Sequence, residues 1–201
     1  MTTIVKESFD NILSKAGDLS DYHVLDIFAR EGDWQSFRLN NKVKSLEAWE
    51  INEEFIPNLK KNLPNANVYC RDSIQFINNN DYSKFDLLVI DNGLNCYGQN
   101  KEYCEHFDFI KNIKNVVWQD SFIIFNVARK PFNYSNYPEW IKRRNEFYQV
   151  EDSSDLSLEF IETFYKKLFN DIGFEVTEYY TECREYYNDI DYLYYVGIRI
   201  A

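Results

Sequence analysis

Short apolar runs alternate with amphipathic stretches along most of this chain, and this order predicts alternating strands and helices. The runs cover residues 23–28, 45–51, 67–71, 85–92 and 121–129. Apolar runs of this length between polar turns are typical of buried strands. The fourth run is the most hydrophobic, as expected for a central parallel strand that is buried on both faces.

The two ends of the chain have other patterns. Residues 1–20 carry apolar side chains at helical spacing up to Gly17, which predicts an N-terminal helix. Residues 156–172 predict a strongly amphipathic helix, and two β runs follow it at 174–183 and 192–200. We expect this last pair of strands to form an antiparallel hairpin.

Together these elements predict one α/β domain over residues 1–201, with a mostly parallel seven-stranded sheet and a C-terminal antiparallel hairpin. A chain of 201 residues, 45% of them hydrophobic, is long and apolar enough to bury one core. Residues 130–154 are rich in Asn, Tyr, Pro and charged residues. We expect them to form an irregular insert with one short helix around Trp140 to Phe147, and we interpret this insert as a lid.

Charge and cysteine content limit the classes of partner and site. The net charge of −11 disfavours long-range attraction to nucleic acid or to anionic membranes. No apolar run approaches the roughly 20 residues that span a bilayer, and the N-terminus is too polar for a secretory signal, so a cytoplasmic protein is expected. The cysteines form no C-x-x-C motif, so we predict reduced thiols and no zinc site: Cys70, Cys96, Cys104 and Cys183.

Acidic residues close or interrupt four successive predicted strands, one in each strand and helix unit. They are Asp26, Glu50, Asp72 and Asp91. Because the carboxyl ends of parallel strands meet at one edge of a sheet, these acids are expected to line a single crevice. A carboxylate after the second strand can accept ribose hydroxyls, and one after the third can accept an exocyclic amine. The sequence therefore predicts a nucleoside site.

The turn after the first strand resembles the first motif of class I S-adenosylmethionine-dependent methyltransferases, in which an acidic residue precedes alternate glycines. Asp26 stands at the acidic position, Phe28 and Arg30 stand where the family has glycines, and Gly32 keeps the last glycine. The resemblance covers about residues 20–200. It implies a three-layer Rossmann-like methyltransferase fold with S-adenosylmethionine as the cofactor.

The same resemblance assigns cofactor contacts to residues that follow later strands. Glu50 looks like the ribose-binding acid, and Asp72 with Ser73 looks like the pair that contacts adenine. Asp91 looks like the residue that borders the methyl group. Acidic residues after strands also commonly cap helices, which is the alternative interpretation of Glu50 and Asp72.

The departures from the family motif concern the methionine part of the cofactor, which the resemblance places at Gly32 and the Asp26 loop. Glycine lets the backbone approach a ligand closely, so Phe28 and Arg30 either shift this part of the cofactor or fill some of its space. Arg30 can instead pair with the cofactor's carboxylate. The competing function is a non-catalytic binding or scaffold protein that keeps the methyltransferase fold.

His106 and Asp91 are the candidate catalytic residues. His106 is the predicted general base, because an unperturbed histidine titrates near neutral pH and the loop is expected to overhang the crevice. Packing at the start of a helix is the alternative for this histidine. The Asp91-Asn92 sequence lacks the Asn/Asp-Pro-Pro-aromatic motif of many amino-methylating nucleic-acid enzymes. We therefore expect a small molecule or a protein side chain as the acceptor, and not a nucleic acid.

Aromatic side chains of the loop and the insert are candidates for the wall of an acceptor pocket: Tyr97, Tyr103, Phe132, Tyr134 and Trp140. Such rings can hold a small planar acceptor, and ordinary packing is the alternative. The sequence leaves both a monomer and a homodimer open.

Overall fold

The structure is a computed structural model that describes residues 3–91, 95–98, 100–131, 134–187 and 190–201. The main strands are β1 (His23–Asp26), β2 (Ser45–Glu50), β3 (Asn67–Cys70), β4 (Phe85–Ile90), β5 (Val117–Ala128), β6 (Val176–Tyr187) and β7 (Ile190–Ile200). The α-helices are α1 (Thr3–Ser14), α2 (Gln35–Leu39), α3 (Ile56–Asn62), α4 (Ser73–Asn79), α5 (Pro138–Tyr148) and α6 (Leu158–Asp171). Short 3-10 helices lie at Glu53–Phe55, Ile110–Asn115 and Tyr134–Asn136, and a small strand pair joins Cys96–Tyr97 to Tyr103–Cys104.

The main strands form one seven-stranded sheet in the order β3-β2-β1-β4-β5-β7-β6. The first five strands of this order are parallel, whereas β7 is antiparallel to both β5 and β6. This arrangement confirms the predicted mostly parallel sheet and its C-terminal antiparallel hairpin. β4 lies between β1 and β5, so the most hydrophobic run of the chain is a central strand.

Helices cover both faces of the sheet, which gives the predicted three layers. Successive side chains of a strand point to opposite faces, so Val24 and Leu87 join one core while Leu25 and Leu88 join the other. Buried residues of α1, α2 and α3 pack in the first core: Phe9, Ile12, Leu39 and Leu59. Buried residues of α4, α5 and α6 pack in the second: Ile77, Trp140 and Tyr165.

The sequence from about residue 102 to Val117 predicts a helix, but the loop after β4 has another structure. It contains the small antiparallel pair and the 3-10 helix Ile110–Asn115. Glu105 has a left-handed backbone with φ of 46°, a conformation that α-helices do not contain. The backbone N–H of Cys104 donates to Asp108 Oδ2 at 2.7 Å. A side chain of the loop thus replaces the helical carbonyl partner.

The segment 130–154 contains the short helix expected around residues 140–147. Its residues 138–148 form the helix α5, in which Arg144 and Tyr148 are almost completely buried. The Arg144 guanidinium donates to Glu105 Oε1 at 2.7 Å and to the carbonyl oxygen of Ala128 at 2.7 Å. These contacts tie the helix to the core, because a buried guanidinium must keep its partners.

Within the described residues, no helix is long and apolar enough to cross a membrane.

Candidate active site

Two neighbouring cavities lie at the carboxyl ends of the parallel strands, where ligands bind in open α/β sheets. The larger has a volume of about 620 Å³ and the smaller about 300 Å³. Phe28, Arg30 and Asp91 line both cavities. Small-molecule sites commonly have volumes of about 300–1,000 Å³, so the two cavities together can hold a ligand of nucleoside size with a second small molecule.

The larger cavity brings together acids from neighbouring strands. Glu50 ends β2, Asp72 follows β3, and both side chains line this cavity. The pairing of Glu50 with Cys70 in the parallel register places the two strand ends side by side. Of the four acids expected to share one crevice, Glu50, Asp72 and Asp91 line this cavity, whereas Asp26 lines only the smaller one.

Glu50 is held in a fixed orientation by the backbone around it. Its Oε2 accepts the N–H of Arg30 at 3.0 Å, and its Oε1 accepts the N–H of Asn52 at 2.7 Å. The residue is only 5% exposed. Each carboxylate oxygen has a second lone pair, so Glu50 can still accept hydroxyl groups from a ligand in the cavity.

Asp72 caps α4 and also faces the larger cavity. Its Oδ1 accepts the N–H groups of Ile74 and Gln75, both at 3.0 Å, which satisfies two of the unpaired donors at the helix start. Its Oδ2 accepts the hydroxyl of Tyr103 at 3.2 Å. Ser73 lines the same cavity and donates its hydroxyl to the carbonyl oxygen of Ile27 at 2.6 Å. The capping alternative is thus correct for Asp72, and it leaves one carboxylate oxygen directed at Tyr103 and the cavity wall.

Gly32 borders neither of the two cavities, which corrects the prediction of a direct ligand contact there. Its φ is 70°, and a Cβ at this position would lie 2.7 Å from Leu59 Cδ1 and 2.9 Å from Leu63 Cγ. Its N–H closes the turn on the carbonyl oxygen of Ala29 at 2.8 Å. The glycine is therefore required for the turn and for close packing on α3 and the residue that ends it.

Phe28 and Arg30, at the two altered glycine positions, border the cavities. The Phe28 ring packs edge-on against Tyr97, with centroids 6.3 Å apart, and against Phe109 at 5.9 Å. Arg30 is exposed, has a left-handed backbone with φ of 50°, and holds its guanidinium 5.9 Å from the Phe55 ring centroid. These bulky side chains lie at the boundary of the two cavities and leave the space between Glu50 and Asp72 open.

The smaller cavity contains the buried Asp26. Its carboxylate accepts the hydroxyl of Ser36 and the N–H of Phe28, the latter at 3.2 Å. Burial raises the pKa of Asp26 to about 7, against the lowering effect of the bond from Ser36. A carboxyl group that titrates near neutral pH can take up or release a proton under ordinary conditions.

An ion pair between Asp91 and Arg184 forms another part of the smaller cavity. Arg184 Nη1 donates to Asp91 Oδ1 at 2.5 Å, and the Asn126 amide donates to the same oxygen. The guanidinium also lies over the rings of Trp34 and Tyr195, 5.4 and 5.1 Å from their centroids. Burial disfavours the charged guanidinium, but Asp91 raises the pKa of Arg184.

Arg184 was not among the residues singled out from the sequence. It is the one arginine between residues 174 and 187, within the aromatic run that becomes β6. Arg184 directly follows the predicted β run 174–183, and a cation that extends such an aromatic, half-buried strand requires an anionic partner, a signal that could have indicated it.

His106 lies in the core and lines neither cavity, so the structure corrects its prediction as a general base. Its ring is completely buried, and its Nε2 is hydrogen-bonded to the Tyr165 hydroxyl at 2.6 Å. Burial, together with the nearby Arg144, lowers the pKa of His106 to about 3. The packing alternative is the correct one for this histidine.

Two of the five candidate aromatic residues, Tyr97 and Tyr103, line the larger cavity. Trp140 is instead buried in the core and donates its indole N–H to Glu105 Oε1 at 2.8 Å. Phe132 and the Tyr134 side chain lie outside the described part of the chain. Among the described residues of 130–154, none lines either cavity.

No protein-family model matches the chain, and no curated protein matches it by sequence. Solved structures do match its fold. The N-methyltransferase NodS from Bradyrhizobium japonicum WM9 is 15% identical with a TM-score of 0.61, over 98% of this chain and 96% of NodS. The magnesium protoporphyrin IX methyltransferase ChlM from Synechocystis PCC 6803 is 15% identical with a TM-score of 0.62, over 97% of this chain and 80% of ChlM.

A third match has a nucleic-acid substrate. The tRNA m1G37 methyltransferase of M. jannaschii is 17% identical with a TM-score of 0.59, over 100% of this chain and 50% of that protein. These matched proteins act on different substrates, so what they share with this chain is the fold. The strand order, the closing antiparallel hairpin and these matches show that the chain has the class I methyltransferase fold.

Proposed function

We propose that this chain is an S-adenosylmethionine-dependent methyltransferase whose larger cavity holds the adenosine part of the cofactor. The observation that carries the proposal is that Glu50 and Asp72, from neighbouring strands, line the same cavity. The fold supports it, because structures of NodS and ChlM contain S-adenosylhomocysteine, the product of that cofactor.

The residues of the larger cavity match the chemistry of an adenosine. Glu50 has free lone pairs for the ribose hydroxyls, and the carboxylate of Asp72 can accept from the adenine amine. Ile51 lines the cavity beside Glu50 with 56% of its surface exposed. A purine packed on Ile51 would remove this apolar surface from water, which favours binding.

Charged residues between the two cavities match the methionine part of the cofactor, which carries an ammonium and a carboxylate. Asp91 supplies a carboxylate for the ammonium, and Arg30 supplies a guanidinium for the carboxylate. The side chain of an exposed arginine can rotate toward the ligand. Arg30, which stands where the family has a glycine, therefore adds a group that can bind the cofactor.

When bound, S-adenosylmethionine supplies a methyl group on a positively charged sulfur for in-line transfer. The chain must align the acceptor and remove its proton where the acceptor carries one. Asp26 is the proposed proton acceptor, since it lines the smaller cavity and its pKa lies near 7. Asp91 is fixed by Arg184, so we assign it the alignment of the acceptor and the stabilisation of positive charge.

The proposed acceptor is a small molecule or a protein side chain that enters the smaller cavity. This cavity measures about 300 Å³ and presents polar groups of Glu185 and Tyr192. The net charge of −11 repels phosphate backbones, so we do not assign this chain the tRNA substrate of its archaeal fold neighbour.

Isothermal titration with S-adenosylhomocysteine tests the proposal. We expect saturable binding of one molecule per chain, and no heat at millimolar ligand would remove the proposal. Glu50→Gln should weaken binding roughly 10- to 100-fold, because hydrogen bonds to a charged group contribute about 1.5–3 kcal/mol. Glu54→Gln is the matched control, since Glu54 is exposed on the adjacent 3-10 helix and does not line the cavity.

The rival function is a binding or scaffold protein that holds the cofactor without turnover. The Asp91–Arg184 pair favours it, because a buried arginine occupies space beside the smaller cavity. To test this, the purified protein is incubated with methyl-labelled cofactor and, separately, with the small-molecule and the protein fraction of a cell extract. The label transferred to each fraction is then measured. Label in either fraction supports the enzyme, whereas binding without transfer to either supports the scaffold.

A further inference from the structure

The wall of the larger cavity includes a small hairpin with a cysteine on each strand. Cys96–Tyr97 pairs antiparallel with Tyr103–Cys104, so that Cys96 lies opposite Cys104 and Tyr97 lies opposite Tyr103. All four cysteines of the chain are free thiols. The two hairpin cysteines are therefore direct cross-strand neighbours, in the reduced state.

The hydrogen bonds show which kind of cross-strand position the cysteines occupy. The N–H of Glu105 donates to the carbonyl oxygen of Asn95 at 3.3 Å. Asn95 and Glu105, which adjoin the two cysteines, are therefore a hydrogen-bonded pair of the antiparallel ladder. The N–H of Cys96 donates to Asn95 Oδ1, and that of Cys104 donates to Asp108 Oδ2, each at 2.7 Å. Neither cysteine donates its N–H to the opposite strand. Cys96 and Cys104 therefore occupy a non-hydrogen-bonded position of the ladder.

Non-hydrogen-bonded positions bring opposite residues closest together, with Cα atoms about 4.5 Å apart. Disulfides require Cα separations of about 4.4 to 6.8 Å. Each thiol influences the pKa of the other, as expected for side chains on the same face of the hairpin. A disulfide can therefore form at this pair with little movement of the backbone.

We propose that Cys96 and Cys104 are a modification site at which mild oxidation forms a reversible disulfide across the hairpin. The residues between them include Tyr97, Glu102 and Tyr103, which line the larger cavity. A cross-link at the base of the hairpin restricts the motion of this wall and of the Tyr103 hydroxyl that donates to Asp72.

The oxidant is a hydroperoxide, and the reaction proceeds in two steps. Cys96 is half-buried whereas Cys104 is buried, so Cys96 sulfur attacks the peroxide first and becomes a sulfenic acid, with release of an alcohol or water. Cys104 sulfur then attacks Cys96 sulfur and displaces hydroxide, which takes the Cys104 proton and leaves as water. Burial raises the pKa of both thiols, so the cross-link forms slowly compared with that of a dedicated peroxide sensor.

Mass spectrometry of the oxidised protein tests the proposal. The background is Cys70→Ser with Cys183→Ser, which removes the other thiols. After hydrogen peroxide treatment and trypsin digestion without reductant, peptides 85–101 and 102–111 should appear joined, two hydrogens lighter than their sum. Dithiothreitol should separate them. Adding Cys96→Ser to the background should abolish the joined species.

Conversion of Cys96 to its sulfinic acid while Cys104 stays a thiol would overturn the proposal, because it would show that the two sulfur atoms do not react with each other. A second readout rests on the proposed function: the oxidised background protein should bind S-adenosylhomocysteine at least as tightly as the reduced one, because the wall is preorganised. Affinity at least tenfold weaker after oxidation would contradict this effect. Absence of binding in both forms would instead contradict the proposed function.

Discussion

Arg184 Nη1 lies 2.5 Å from Asp91 Oδ1, and this contact joins the C-terminal hairpin to the end of β4 beside the smaller cavity. The two side chains are 10% and 14% exposed. Loss of one partner of a buried ion pair leaves an uncompensated charge, which costs about 3–5 kcal/mol. The pair therefore holds the C-terminal hairpin against the end of β4, beside the smaller cavity.

A double-mutant cycle measures this coupling. Arg184→Met and Asp91→Asn should each lower the free energy of unfolding by roughly 3 kcal/mol, and the double variant should lose at least 1 kcal/mol less than the sum. The exposed pair Lys167 and Asp171 is the control, with coupling of about 0.5 kcal/mol or less. Additive losses at Arg184 and Asp91 in urea unfolding would contradict the structural role.

Gly32→Ala should destabilise the protein more than Gly173→Ala. Both glycines have positive φ, 70° and 95°, so both substitutions carry backbone strain of about 1 kcal/mol or more. Only Gly32 also meets Leu59 and Leu63, and overpacking adds roughly 1–3 kcal/mol. Urea unfolding compares the two variants. Equal losses would show that close packing on α3 does not explain the glycine.

His106 should stay neutral throughout the physiological pH range. Its pKa lies near 3 because of burial, so its ring proton signals should not shift between pH 5 and pH 8 in NMR spectra. The chain has two histidines, and a His23→Asn variant assigns the remaining signals. A midpoint between pH 5 and pH 8 would restore His106 as a candidate base.

Asp26 should make stability fall as the pH rises from about 4 to 7. Its pKa is about 7 in the folded chain and 3.8 ordinarily, so in this window the folded state binds more protons than the unfolded state. The free energy of unfolding then decreases by up to about 1.4 kcal/mol per pH unit. Between pH 5 and pH 8, the free energy of unfolding of Asp26→Asn should rise by roughly 2–3 kcal/mol relative to that of the wild type. Parallel curves for the two proteins would contradict the raised pKa.

The sequence predicted the main sheet well because its strands are set by local patterns. Residues 23–28 and 85–92 are apolar runs between polar turns, and such runs have few other stable arrangements. Asp26, Glu50, Asp72 and Asp91 were found for the same reason, because parallel topology places the residues after each strand at one edge. These acids needed no knowledge of distant contacts.

The remaining features depend on contacts between distant residues. His106 was placed over the crevice, but its ring is turned into the core, where Tyr165, 59 residues away, binds it. Arg184 was overlooked because its partner Asp91 is 93 residues away. Gly32 matched a ligand-binding motif, yet side chains at the end of α3 explain it. Single-sequence patterns do not encode such pairings.

A crystal structure of the complex with S-adenosylhomocysteine tests the proposal that Glu50 and Asp72 together hold an adenosine. The ribose hydroxyls should lie within hydrogen-bonding distance of the Glu50 carboxylate, with the purine between Ile51 and the hairpin of Tyr97 and Tyr103. A ligand bound elsewhere, or a ribose turned away from Glu50, would refute the proposed cofactor site and leave only the fold.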